Sequence, residues 1–147
     1  MICLENINGI LDQLLSEYDS VRIEDLIRKL VDIARTDLNA VVDAAIARIK
    51  AYSFDGSKWS TLAFSILENL RLPDKAGEIL WALVEYDENN GAYLNNYGIF
   101  AEMKGRIGQA IEWYARAYAT DYRNHGHAAA STFPAWTNLH RIASSIR

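Results

Sequence analysis

Hydrophobic residues recur every three or four positions along most of the chain, with polar residues between them. In the first 50 residues the stripes consist of Leu4, Ile7, Leu11, Leu14 and Leu15, then Ile23, Leu26, Ile27, Leu30 and Val31, then Val41, Ala44, Ala45 and Ile49. This spacing places the apolar side chains on one face of an α-helix. No alternating pattern bounded by hairpin turns indicates a strand. The sequence therefore predicts an all-α protein.

Short polar segments interrupt these stripes and predict the turns between helices. Residues 55–57 (Asp-Gly-Ser), 72–74 (Leu-Pro-Asp) and 87–91 contain the glycine, proline and asparagine that favour turns. Residues 122–134 form the longest predicted loop, with Gly126 and a run of small residues. We expect seven to eight helices, arranged as antiparallel pairs with short connections.

The turn at 55–57 is the clearest internal boundary in the sequence. It divides the chain into an N-terminal helical subdomain, residues 1–53, and a second part, residues 57–147. Asp74, in the turn at 72–74, is a plausible N-cap for the helix that follows, because a side-chain oxygen there can accept from an exposed backbone N–H.

The second part contains an internal repeat of 34 residues. A shift of that length places residues 85–90 on 119–124, Ala76 on Ala110, Leu80 on Tyr114 and Leu83 on Ala117. A period in the range of 20 to 50 residues indicates a stack of similar supersecondary units. Each unit would be a helical hairpin, because the apolar spacing is helical throughout.

The unit at residues 91–124 resembles the tetratricopeptide repeat (TPR) family. The positions that carry the resemblance are Leu94, Asn96, Tyr97-Gly98, Ala101, Gly105, Ala110, Tyr114 and Ala117. Gly98 and Ala110 are small where the two helices of a hairpin approach closely, and Gly105 permits the positive φ that ends the first helix. Leu94, Ala101 and Tyr122 replace the family's usual tryptophan, tyrosine and proline.

Two further segments resemble the family more weakly. Residues 57–90 carry Trp59, Leu62 and Ala63, but reaching Ala76 requires one extra residue. Residues 136–139 look like the opening of a third unit. The resemblance implies antiparallel hairpins stacked as a short TPR-like right-handed solenoid, with the N-terminal helices as a cap.

The resemblance also implies a binding site, because the first helices of successive hairpins in this family line a concave groove. That groove binds an extended peptide or a partner helix. The positions that fall on it here are Phe64, Asn95, Asn96, Ile99, Glu102, Met103 and Arg141. The alternative is that a neighbouring helix covers the groove, which would make the chain a structural or oligomerisation protein.

Composition narrows the class of partner. The chain of 147 residues is 50% hydrophobic, enough for a sizeable core, and its net charge is −4. A nucleic-acid surface needs clustered Lys and Arg, so no nucleic-acid partner is expected. No apolar stretch approaches the ~20 residues that span a membrane.

The remaining sequence signals concern location. The chain starts without a basic segment followed by an apolar run, which predicts no secretory signal. Its one cysteine, Cys3, cannot form an internal disulfide and fits a reducing compartment. We therefore expect a cytoplasmic protein.

No set of residues predicts catalysis. His125-Gly126-His127 could ligate a metal with Asp121 or His140, but exposed loop histidines explain the motif more simply. Cys3 could pair with a histidine as a nucleophile, but it lies at a terminus that we expect to fray. We expect no metal, no cofactor and no enzyme activity. The favoured function is a protein–protein interaction module, an adaptor or regulatory subunit; a structural or homo-oligomeric helical protein is the alternative.

Overall fold

The computed structural model describes residues 4–52 and 56–146, apart from the side chain of Tyr52. Within those ranges the chain forms nine α-helices and no strand, which confirms the all-α prediction. The helices are α1 (Leu4–Ser16), α2 (Ser20–Ala34), α3 (Leu38–Tyr52), α4 (Ser57–Asn69), α5 (Asp74–Tyr86), α6 (Gly91–Met103), α7 (Ile107–His125), α8 (His127–Ala130) and α9 (Pro134–Ser145). Cys3 and the predicted turn residue Asp55 lie outside the described residues.

The chain divides into two compact units, Met1–Tyr86 and Asp87–Arg147. The sequence analysis placed its boundary at 55–57, between α3 and α4. In the structure α4 packs on α2 and α5 packs on α3, so these helices share one unit. We call the two parts the N-terminal unit and the C-terminal unit, and describe each by itself.

The core of the N-terminal unit is built from branched aliphatic side chains. The largest fully buried residues there are Trp59, Ile7, Leu11, Leu14, Leu30, Ile49, Leu62, Ile66, Leu67, Ile79 and Leu80. Five of them, Ile7, Leu11, Leu14, Leu30 and Ile49, belong to the predicted apolar stripes of the first 50 residues, so periodicity identifies that part of the core. Trp59 is the one aromatic residue in the set. Asp19 caps α2, since its carboxylate accepts from the backbone N–H groups of Val21 and Arg22.

A lysine from another helix caps the C-terminal end of α1. Lys58 Nζ donates to the backbone oxygens of Leu14, Leu15 and Glu17, at 2.7, 3.3 and 2.6 Å. Helix α1 has no basic residue in its own last turn. Lys58 therefore supplies the positive charge that stabilises exposed carbonyls at a helix C-terminus.

The predicted turn at 72–74 is present between α4 and α5, and Asp74 is the first residue of α5. Two residues of the connection, Arg71 and Leu72, have left-handed backbones with φ of 65° and 57°. The left-handed conformation is sterically unfavourable for residues that carry a Cβ. The Leu72 N–H donates to the Leu67 oxygen at 2.9 Å and closes the end of α4.

In the C-terminal unit α6 and α7 form an antiparallel hairpin with close contact at Gly98. A Cβ at Gly98 would lie 2.7 Å from the ring of Tyr114, closer than real carbon contacts allow. Gly105, in the connection, has φ of 77°. Both observations confirm the reasons given from sequence for these two glycines. Asn90 caps α6 by accepting from the Tyr93 N–H at 3.2 Å.

The prediction of a loop at residues 122–134 is wrong. Helix α7 continues to His125, and α8 follows at His127–Ala130. Three consecutive alanines favour helix, while Gly126 with φ of 84° separates the two helices. The expected count of seven to eight helices missed α8 for this reason. Across the described residues, no helix is both long and apolar enough to cross a membrane.

Candidate functional site

Helices α6 and α9 are joined by a chain of polar contacts that includes several of the predicted groove residues. Asn138 Nδ2 donates to Asn95 Oδ1 at 3.0 Å. Arg141 donates to both carboxylate oxygens of Glu102, at 2.8 and 2.7 Å. The Tyr114 hydroxyl donates to Glu102 Oε1 at 2.7 Å, and Arg141 also reaches Asn138 Oδ1 at 3.3 Å. We call these five residues the α6–α9 network.

Helical spacing explains why this network forms. Asn95 and Glu102 are two turns apart on α6, and Asn138 and Arg141 are one turn apart on α9. Each pair therefore lies on one face of its helix, and the two faces meet. The bidentate contact between Arg141 and Glu102 is the geometry that a guanidinium and a carboxylate prefer.

Charge and burial fix the protonation of the network. The hydrogen bond from Arg141 lowers the pKa of Glu102, burial opposes that shift, and the bond from Tyr114 supports it. Burial raises the pKa of Tyr114 well above its usual value, and the neighbouring Glu102 raises it further. At neutral pH Glu102 is therefore a carboxylate and Tyr114 a neutral hydroxyl donor.

An apolar layer lies beneath the network. Ile99 and Leu139 pack against a buried cluster that contains Ala110, Tyr114 and Ile142. Ile99 is thus held in the contact between α6 and α9. A charged residue at position 99 would disrupt this packing as well as any binding surface.

The structure brings four predicted residues together and leaves three apart from the network. Asn95, Ile99, Glu102 and Arg141 all lie where α6 meets α9. Asn96 and Met103 are half-buried on the adjoining side of α6. Phe64 is half-buried on α4 and belongs to the N-terminal unit.

A cleft of about 390 Å³ opens at the start of α6, within the C-terminal unit. Its lining includes Asp87, Asn95, Asp121, Asn124, His125 and Phe133. The walls therefore come from the first turn of α6, the last turns of α7 and the segment that enters α9. We call it the Asp121 cleft, after its most buried charged residue.

Asp121 is 7% exposed, and its carboxylate accepts no hydrogen bond from the residues that the structure describes. It lies so close to Gly91 that a Cβ there would overlap with the carboxylate. Burial raises the pKa of Asp121, and the charge of His125 acts in the opposite direction. The carboxylate thus has no hydrogen bond from the described residues, while its oxygens keep contact with solvent in the cleft.

The three histidines are engaged with aromatic rings. His125 contacts Phe133 edge-on, with ring centroids 5.2 Å apart. His127 and His140 lie beside Trp136. Within the described ranges no group of three or more His, Cys, Asp or Glu side chains is arranged to hold a metal ion.

Sequence reasoning missed the Asp121 cleft and the partners Tyr114 and Asn138. The available signal was the 34-residue alignment, which pairs Asp121 with Asp87 and so marks an acidic residue at the same position of each repeat.

Comparison with the models of known protein families gives no match, and comparison with curated proteins finds no similar sequence.

Proposed function

We propose that the protein is a TPR-like interaction module, an adaptor or regulatory subunit that binds a peptide segment or a partner helix along α6 and α9. The side-by-side pairing of these helices by Asn138–Asn95 and Arg141–Glu102 carries the proposal. In TPR-like stacks the first helices of successive hairpins lie side by side in this way and line the groove.

We also propose that the hairpins stack as a short right-handed solenoid. The close contact at Gly98 and the left-handed Gly105 support it, since both occupy the family's glycine positions. The buried Ala110 and Tyr114 occupy its small and aromatic positions in the second helix.

The predicted groove residues take two roles in this proposal. Asn95, Glu102 and Arg141 fix α9 against α6, and Ile99 supports that contact from beneath. Asn96 and Met103 provide the recognition surface: an amide suits a peptide backbone, and a flexible thioether suits an apolar anchor. Phe64 belongs to the N-terminal unit and is not part of this surface.

A peptide library tests this surface. A phage-displayed library of random linear peptides would be selected against the natural protein, and the affinity of synthetic copies measured by fluorescence anisotropy. We expect the double variant Asn96→Ala, Met103→Glu to lose binding while circular dichroism shows unchanged helix content. Exposed Glu112 on α7 offers a matched control, and Glu112→Ala should bind normally. Selected peptides that bind the double variant as tightly as the natural protein would contradict the proposal.

One observation favours the alternative, a structural or oligomerisation protein. Asn95 and Glu102 already have partners on α9, so part of the predicted groove is covered by the chain itself. Light scattering across a concentration series separates the two functions. A stable oligomer in which Met103 is protected from oxidation, together with a failed peptide selection, would favour the alternative.

A further inference from the structure

The polar residues around Asp121 already form hydrogen bonds with other residues, whereas the Asp121 carboxylate accepts none from the described residues. Asn89 Oδ1 accepts from Arg123 at 2.6 Å, and the Asn89 backbone oxygen accepts from Asn124 at 2.9 Å. Asp87 Oδ1 accepts from the Asn89 N–H at 3.0 Å. Arg123, the nearest arginine in sequence, thus directs its guanidinium to Asn89. Among these neighbours, Asp121 is the cleft residue whose carboxylate accepts no hydrogen bond from the described residues.

The start of α6 compensates this charge in part. The positive end of a helix dipole favours a nearby carboxylate, and Asp121 lies beside Gly91, the first residue of α6. No backbone N–H of that described turn donates to the carboxylate, however, and His125 on the rim is exposed. A bound cation would give this carboxylate a direct charged partner in place of solvent.

The chemistry of the walls selects the kind of cation. Calcium or magnesium requires about six or more oxygen ligands, and the cleft has one unengaged carboxylate. A guanidinium needs less, because it is planar, weakly hydrated and able to donate to a carboxylate and to amide oxygens at once. Phe133 lines the same cleft and offers an aromatic surface on which a guanidinium can stack. A volume of about 390 Å³ lies within the usual range for small-ligand sites.

We propose that the Asp121 cleft binds a guanidinium group, carried by a small molecule or by an arginine side chain of a peptide. Asp121 is the counter-ion, Phe133 is the aromatic wall, and Asn124, whose Nδ2 donates to Asn89, offers its amide oxygen at the side. The site is separate from the Asn96–Met103 surface, so it holds whether or not that surface binds a partner.

The test uses three probes on the full chain: agmatine, a blocked tripeptide with a central arginine, and the same tripeptide with citrulline. Citrulline has nearly the same shape as arginine but no charge. Titrations followed by amide NMR shifts should show saturable binding of an arginine probe, with Kd of about 1 mM or tighter. The shifts should centre on Gly91, Asn95 and Asp121. Equal affinity for agmatine and the tripeptide would indicate a small-molecule source, and tighter tripeptide binding would indicate a peptide.

Two variants identify the counter-ion. Asp121→Asn keeps the shape beside Gly91 and should weaken binding about tenfold or more. His125→Lys, at an exposed position, places a permanent positive charge beside Asp121 and should weaken binding similarly. Glu112→Gln, at an exposed position of α7 outside the lining of the cleft, is the control and should bind within about twofold of the natural protein. Equal binding of the citrulline tripeptide, unchanged affinity in folded Asp121→Asn and His125→Lys, or no saturable shift at about 10 mM probe would overturn the proposal.

Discussion

The hairpins α4–α5 and α6–α7 align at a shift of 34 residues but use the aligned positions differently. Ala76 and Ala110 are both fully buried, and so are Leu80 and Tyr114, within 1%. Leu80 ends in methyl groups, which form no hydrogen bond. Tyr114 fills the same position and extends a hydroxyl to Glu102. The same register therefore gives an apolar core in one hairpin and an anchor for a polar network in the other.

The two hairpins also differ in how they turn. The second places Gly105 at the left-handed position, whereas the first places Arg71 and Leu72 there. Glycine adopts this conformation without steric strain, and residues with a Cβ do not. The hairpin that resembles the TPR family more closely is thus also the one with less strain in its turn.

The largest difference is helix length. Helix α5 has 13 residues and ends at Tyr86, whereas α7 has 19 and continues to His125. Asp87 consequently lies in a turn and accepts from Asn89, while the aligned Asp121 lies inside a helix and is buried beside Gly91. Aligned residues of the same type can therefore differ in exposure and hydrogen bonding, because their environment depends on where the helix ends.

The largest expected effect concerns the aliphatic hairpin. Leu80→Ala should lower the free energy of unfolding by about 2–5 kcal/mol, because it leaves a cavity in a fully buried layer. Urea unfolding followed by circular dichroism measures the change. Glu85→Ala, at an exposed position of the same helix, should change stability by less than about 0.5 kcal/mol. Equal effects of the two substitutions on the free energy of unfolding would show that Leu80 is not part of the core.

The close contact in the second hairpin gives the next largest effect. Gly98→Ala should destabilise by about 1–3 kcal/mol, since the added Cβ displaces the Tyr114 ring. Gly108→Ala on α7 is the control, because a Cβ there meets nothing within 4 Å. Alanine in a helix is favoured over glycine, so this control should gain up to about 1 kcal/mol. Thermal melting of both variants should shift in opposite directions, and a shared sign would refute the close approach.

The α6–α9 network should contribute less to the free energy of unfolding, and its contribution should depend on pH. Glu102→Gln should cost about 1 kcal/mol at neutral pH, a value reduced because Arg141 is 50% exposed. The pKa of Glu102 is lowered on folding, so its stabilisation is present above the unfolded-state pKa of 4.5 and disappears as pH falls through the lowered pKa. The stability difference between natural protein and variant should therefore shrink in acid. A difference that stays constant from pH 7 to below about 3 would exclude the charged pair as its source.

The smallest effects concern the turns. Arg71→Gly should raise stability by up to about 1 kcal/mol by relieving a left-handed backbone, offset in part by greater freedom of the unfolded chain. Gly105→Ala should lower it by about 1 kcal/mol. Chemical unfolding of both variants checks the pair. Stabilisation by Gly105→Ala would show that this turn relaxes to another conformation.

The sequence predicted the parts of this fold that depend on local spacing. The apolar stripes of α1, α2 and α3 follow from residues close together in the chain, whereas the roles of Gly98 and Gly105 follow from the resemblance to the TPR family. Helix α8 could not be predicted, because four residues are too few to show a period. Arg141–Glu102 joins residues 39 apart, and Asn138–Asn95 residues 43 apart, so neither contact belongs to any local pattern.

The extra length of α7 has a consequence for local motion. Six residues at 1.5 Å each extend the helix by about 9 Å beyond the length of α6, and this extension carries Asp121, Asn124 and His125. Helix ends open with less free energy than the core of a unit. Amide hydrogens near His125 should therefore exchange with solvent faster than those near Tyr114, through brief unwinding while the hairpin stays folded. This part of the cleft wall would then be lost whenever the end of α7 unwinds. A ligand bound in the cleft would be detectable because it slows the exchange of amide hydrogens near His125.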